Sequence, residues 1–191
     1  MTDAPAPELS LRPIRAGDER ELLRIHRTPA VRRWWGDPAP GFPWSDEPEA
    51  TRLVIEADGE VIGMIQFTEQ LEPRYRHASI DVFLDPSVHR RGIGTAAVRR
   101  VAEHLIGDRG HHRITIDPAA ANAAAIRSYA KAGFRHVGVM RQYERAADED
   151  SWHDGLLMEL LADEASSSRA QATTTPLDTK SIELEIGGAE R

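Results

Sequence analysis

Apolar positions along the chain follow two periods. LVIEA and EVIGMIQF, within residues 52–67, are strand-like runs on either side of Asp58-Gly59, the residue pair of a type I′ hairpin turn. A loop over 69–77 leads to another apolar strand, SIDVFL at 79–84. The period then lengthens. Val98, Val101, Ala102, Leu105 and Ile106 recur at helical spacing and predict a helix over 92–106. Gly107 and Gly110 bracket the turn into a strand at 113–116. Ile126, Tyr129 and Ala130 share one face of a helix over 121–132, and Gly133 suits its left-handed cap. Residues 134–142 and 152–161 read as two last strands, joined by an acidic loop around Asp148-Glu149-Asp150.

The first fifty residues are less regular. Leu9, Leu11 and Pro13-Ile14 suggest a strand, and Leu22, Leu23 and Ile25 supply the apolar contacts of a helix over 18–26. A second short helix ends near Trp35, followed by a loop with Gly36, Pro38, Pro40, Gly41, Pro43 and Trp44. Strands and helices alternate through both halves, so the chain reads as α/β, with one domain over 8–162. Residues 1–7 are Pro/Ala-rich and expected to be flexible. After Asp163 the composition turns to a polar, low-complexity linker, and 163–191 is expected to lack fixed structure. Within it, 181–186 alternates well enough to dock as a strand on a sheet edge.

Composition narrows the classes. The 191 residues are 40% hydrophobic and 29% charged, as in ordinary soluble proteins. No apolar run approaches the ~20 residues of a membrane span, and MTDAPAPELS lacks the pattern of a secretory signal. No cysteine is present, which excludes disulfides, thiolate zinc sites and cysteine nucleophiles. A cytoplasmic protein is expected. The net charge of −7 disfavours nucleic acid and favours cationic small molecules, although acidity also serves solubility alone. No zinc-type spacing of ligands occurs, and no metal is expected.

One loop carries the first chemical signal. His89, Arg90, Arg91, Gly92, Ile93, Gly94 and Thr95 lie between a strand and a helix. Backbone N–H groups in such a loop converge at the positive end of a helix, an anion site suited to phosphate or pyrophosphate. The spacing fits neither the dinucleotide fingerprint nor a P-loop. Downstream comes Asp117-Pro118, then Asn122 and AAAIRSYAKAGF, ending at Phe134. Asp81 interrupts the apolar strand, a costly place for a carboxylate unless it is paired, faces a cleft or points to solvent.

The two stretches resemble the GNAT superfamily of N-acetyltransferases. His89–Thr95 is similar to its pyrophosphate loop, with His89 where Gln or Arg is usual. Asn122–Phe134 is similar to its N-x-x-A-I-x-x-Y-x-K-x-G-F motif. The resemblance implies a mixed, mostly antiparallel sheet of six to seven strands with a central parallel pair, flanked by about four helices. It implies acetyl-CoA as co-substrate, with the pantetheine arm along backbone groups of Val82, Phe83 and Leu84, the pyrophosphate on the loop, and Asn122 on the far side. Tyr129 would donate a proton to the leaving thiolate, although its apolar helix face would also place it in a core. Asp81 would act as base, directly or through water, or bind the acceptor ammonium.

Trp34-Trp35-Gly36, Ile80-Asp81 and Asp117-Pro118 with Asn122, Ala125-Ile126-Arg127 and Tyr129 resemble the aminoglycoside 6′-N-acetyltransferases. That resemblance places Trp35, and with it Trp34, along a sugar ring. It places Asp81 and Asp117 on ammonium groups and Gln66 in the acceptor site. It implies a cationic small-molecule amine as partner, foremost the 6′-amine of an aminoglycoside. Protein N-termini, lysines or another polyamine are the alternative acceptors, and a non-catalytic CoA-binding sensor is the alternative of another class. Such proteins are often dimers, so a monomer or a homodimer is expected.

Overall fold

The computed structural model describes residues 9–44, 50–146, 150–165 and 183–184. Strand β1 (Leu9–Pro13) leads into helices α1 (Asp18–His26) and α2 (Pro29–Trp35). Strands β2 (Thr51–Ala57), β3 (Glu60–Gln70) and β4 (His77–Leu84) form an antiparallel meander. Then come helix α3 (Ile93–Gly107), strand β5 (Arg113–Ile116), helix α4 (Ala123–Ala132), and the strands β6 (Arg135–Arg145) and β7 (Trp152–Leu161). A two-residue strand β8 (Glu183–Leu184) runs parallel to β1. All lie in one sheet of order β6-β7-β5-β4-β3-β2-β1-β8. The expected α/β architecture is found: seven strands of a mixed sheet with the parallel pair β4–β5 at its centre, and β8 as a short addition at one edge. No helix among the described residues is long and apolar enough to cross a membrane. The expectations for 1–7 and for most of 163–191, with the acidic residues Asp148 and Glu149, fall outside the described residues.

Local chemistry sets the boundaries. Asp58 and Gly59 take φ of 51° and 82°, the left-handed pair that a type I′ turn requires. Helix α3 starts at Ile93 because Gly92, at φ 81°, is its N-cap. Helix α4 starts two residues later than the pattern predicts, because the Asn122 side chain accepts from the Ala125 N–H and caps it. It ends at Gly133, in the expected left-handed conformation. His111 is buried against Glu69 Oε1 at 2.7 Å, and its neighbour His112 is exposed.

The sheet buries both faces. Leu53, Ile55, Ile65, Phe67, Ile80, Ile114 and Ile116 pack with α3 and α4. Val54, Met64 and Phe83, on alternate positions, pack with α1 and α2. Asp81 shares the parity of Phe83, and Gln66 that of Met64. Both therefore belong to the α1/α2 face.

A buried ion triad ties β1, β2 and α1 together. Arg12, 7% exposed, donates to Asp18 at 2.7 Å and to Glu56 at 2.8 Å. Those hydrogen bonds hold both carboxyls below their ordinary pKa values of 3.8 and 4.5. A depressed folded value contributes stability above the unfolded value, lost as pH falls through the folded one. Urea unfolding of the wild type is therefore expected to weaken below about pH 4, and Arg12→Met to flatten that acid slope. An equal slope in both proteins would assign the acid sensitivity to other carboxylates.

Candidate active site

The site begins where β4 and β5 part. The parallel ladder joins only Ala78 to Ile114 and Ser79 to Thr115. Beyond Ser79, β4 continues to Leu84 with β3 along its other side, from Gly63↔Leu84 to Gln70↔His77. The backbone of Val82, Phe83 and Leu84 on the β5 side thus lines a split in the sheet. The Phe83 side chain is buried among α1 and α2, while Val82 and Leu84 are half-buried.

The basic loop stands at the end of that split. A short 3-10 turn at Pro86–Val88, capped by Asp85 through the Ser87 N–H at 2.8 Å, leads into it. Arg24 pairs with Asp85 and braces the turn against α1. His89, Arg90 and Arg91 are exposed, and His89 Nε2 lies 3.4 Å from the Leu84 carbonyl. Arg90 itself takes φ of 64°. The first-turn N–H groups of Ile93, Gly94 and Thr95 have no acceptor within the helix and face the positive end of its dipole. The two glycines differ in purpose. Gly92 supplies the left-handed cap and has open space beside it. Gly94 is helical, but a Cβ there would lie 3.2 Å from Leu84 Cδ1. Thr95 Oγ1 and Ser128 Oγ, 2.8 Å apart, lock the start of α3 to α4. This open cradle offers the donors and positive charge that an anionic group requires. The Asn122 side-chain oxygen is committed to its helix cap.

Three ionisable groups meet at the split. Asp81 lies opposite Gln66, whose Nε2 is 3.4 Å from its Oδ2. Asp117 follows the last residue of β5. Tyr129 approaches from α4, with its ring buried. Burial, then the charges of Asp81 and Asp117, push the Tyr129 hydroxyl well above the ordinary tyrosine pKa. It therefore stays a neutral donor at every ordinary pH. Because the sheet is open here, a side chain from one face feels carboxylates of the other.

A cleft of about 240 Å³ adjoins Asp81 on the α1/α2 face, lined by His26, Trp35, Asp37, Ala39, Phe42, Arg52 and Gln66. Trp35 sits edge-on to Phe83 at 5.1 Å and to His26 at 6.0 Å. Trp34 is not among the lining residues. Neighbours on a helix point about 100° apart, and Arg33 covers its ring at 4.7 Å instead. Gln66 also accepts from Arg52 Nε at 2.9 Å. Arg52, Tyr143 and Glu144 belong to the site region and were not expected from the sequence. The Tyr143 hydroxyl is pushed up to about 12, first by its hydrogen bond to Asp117, then by burial. Burial, opposed by His153, also raises Glu144.

The family model for the acetyltransferase (GNAT) family matches residues 11–134. The chain belongs to that family. Among its relatives, the L-amino acid N-acetyltransferase AaaT of Escherichia coli (strain K12) is 31% identical over 100 residues, 52% of this chain and 62% of the relative. The aminoglycoside N(6′)-acetyltransferase type 1 of Klebsiella pneumoniae is 33% identical over 102 residues, 47% of this chain and 50% of the relative. The match thus spans less than two thirds of either. The crystal structure of spermidine N-acetyltransferase from Vibrio cholerae in complex with CoA and spermine aligns with a TM-score of 0.69 at 17% identity, covering 83% of this chain and 98% of that one. At that identity the likeness is one of fold. The GNAT resemblance of the two sequence stretches is borne out.

Proposed function

We propose that this GNAT protein transfers the acetyl group of acetyl-CoA directly to a primary amine of a cationic small molecule. The observation that carries this reading is the meeting of Asp81, Asp117 and the buried Tyr129 hydroxyl at the β4/β5 split, next to the α3 cradle. Acetyl-CoA supplies the acyl group already activated as a thioester. The loop amides and Arg90 and Arg91 hold its anionic end. The backbone at 82–84 aligns its arm.

Asp81 and Asp117 attract the acceptor as an ammonium, and Asp81 takes its proton, directly or through water, so that the neutral amine attacks. Tyr129 donates a hydrogen bond to the sulfur that receives the departing electron pair. Its raised pKa argues against outright ionisation.

The first acceptor class is an aminoglycoside-like amino sugar, acetylated at a 6′-type amine, with its sugar ring over Trp35. The relative named for that activity supports it. Arg52 adds a fixed cation to the cleft beside Gln66. The acceptor's ammonium groups are therefore directed toward Asp81 and Asp117 rather than along Trp35. A linear polyamine suits that arrangement as a second class, in line with the structural neighbour named for spermidine.

CoA release, followed with a thiol reagent in a protein that has no cysteine of its own, is expected with kanamycin-type aminoglycosides above the rate without amine. Release with spermidine alone keeps the chemistry and moves the acceptor to polyamines. Release with peptides alone moves it to protein amines. CoA binding without release to any amine removes the enzymatic reading of the site.

A further inference from the structure

The β6–β7 edge holds an irregularity aimed at the site. Met140 pairs with Gly155 and Glu144 with His153, so four steps along β6 oppose two along β7. The two extra residues form a bulge with Gln142 at φ 49°, anchored by the Gln142 N–H on Asp154 Oδ1 at 2.8 Å. The bulge lays the Tyr143 ring on Gly155, where a Cβ would stand 2.8 Å from Tyr143 Cδ1. The segment after Asp117 is strapped to the same place on β7. Ala119 bridges Gly155, the Ala120 N–H donates to the Asp154 carbonyl, and the Leu156 N–H donates to the Pro118 carbonyl, both at 2.8 Å. Residues 154–156 thus hold both the Tyr143 ring and the segment that follows Asp117, which brings the Tyr143 hydroxyl to the Asp117 carboxylate. Tyr143 is 48% exposed, so core packing does not account for this seat.

We propose that Tyr143 is a positioning residue of the acceptor site, whose hydroxyl holds the Asp117 carboxylate beside Asp81 and Tyr129 so that it binds the acceptor's ammonium. This rests on the amine-acetyltransferase reading of the same site. The charged groups facing the pair are Asp81 from β4 and Glu144 from the bulge, with His153 of β7 3.7 Å from Glu144. Tyr143 acts on binding rather than on transfer, since its hydroxyl acts through Asp117, which holds the acceptor's ammonium.

The test is a double-mutant cycle with kanamycin and spermidine as probes: wild type, Tyr143→Phe, Asp117→Asn and the double variant. Tyr143→Phe is expected to raise the KM for the acceptor about tenfold with kcat nearly unchanged. The KM for acetyl-CoA and the melting temperature stay at wild-type values. In the Asp117→Asn background, Tyr143→Phe is expected to add nothing. A loss of equal size in both backgrounds, or no loss in either, overturns the role while leaving the acetyltransferase reading intact. A wild type that turns over no amine removes both together.

Discussion

Tyr129→Phe is expected to lower kcat by about 100-fold, within the range of lost acid catalysis, while acetyl-CoA binds as tightly as to the wild type. The substitution deletes one oxygen. The ring stays packed in the α3/α4 cluster, so no cavity of consequence opens and the melting temperature should hold. What is lost is the buried neutral hydroxyl of α4 at the split, kept neutral by burial and by Asp81 and Asp117. A tyrosine with an elevated pKa does not ionise across the assay range, so the wild-type rate should show no alkaline limb from this group. Single-turnover mixing of preloaded enzyme with acceptor separates the chemical step from product release. An unchanged rate would return Tyr129 to its other reading, a core residue that happens to lie near the site. A matching fall in acetyl-CoA affinity would make it a binding group.

How much of this was legible in the sequence depends on the range of the interaction. Asp58-Gly59 fixed a turn whose chemistry is local, and the α3 face followed from spacing alone. Residues 79–84 and 113–116 were readable as strands, and the GNAT likeness implied a central parallel pair, which the structure assigns to these two. Arg52 shows where local reasoning stops. From a two-residue turn joining Ala57 to Glu60, Arg52 would face Ile65. The bulge between Ile55 and Glu56 shifts the ladder so that it faces Gln66, and only then does its guanidinium reach the site. Tyr143 and Glu144 were hidden for the same reason. The sequence shows a strand ending near Gln142, whereas the strand bulges there and runs on to Arg145. Trp34 and Trp35 look equivalent in the chain, and helix geometry separates them. Bulges and helix rotation depend on partners distant in sequence, which a pattern of apolar positions does not contain.

Gly63→Ala should be the most damaging small substitution in the sheet. A Cβ at this position would lie 2.3 Å from the Phe83 carbonyl oxygen, 2.8 Å from Leu84 Cδ2 and 3.0 Å from Leu84 Cα. Two of those atoms are backbone, so no side-chain rotation relieves the contact. Either β3 or the end of β4 must move. Glycine inside a strand marks such a close approach, and here the neighbouring strand is the one that lines the β4/β5 split. The Asp85 N–H to Ile62 carbonyl hydrogen bond, 2.8 Å long, holds the same corner and would be strained by the shift. Overpacking of this kind costs about 2–3 kcal/mol, which lowers the melting temperature of a chain this size by roughly 5–10 °C. The functional loss should exceed the loss of stability. At a temperature where the variant is fully folded, its acetyl-CoA affinity, measured by calorimetry, is expected to fall about tenfold or more, equivalent to 1.4 kcal/mol or above, because residues 83 and 84 carry the displaced backbone. Gly107→Ala is the control: it lies at the end of α3 with nothing within 4 Å of a Cβ, and should melt at or above the wild type. Wild-type affinity in a destabilised Gly63→Ala would mean that β3 yields rather than β4. It would also mean that the backbone of 82–84 does not set the cofactor's seat.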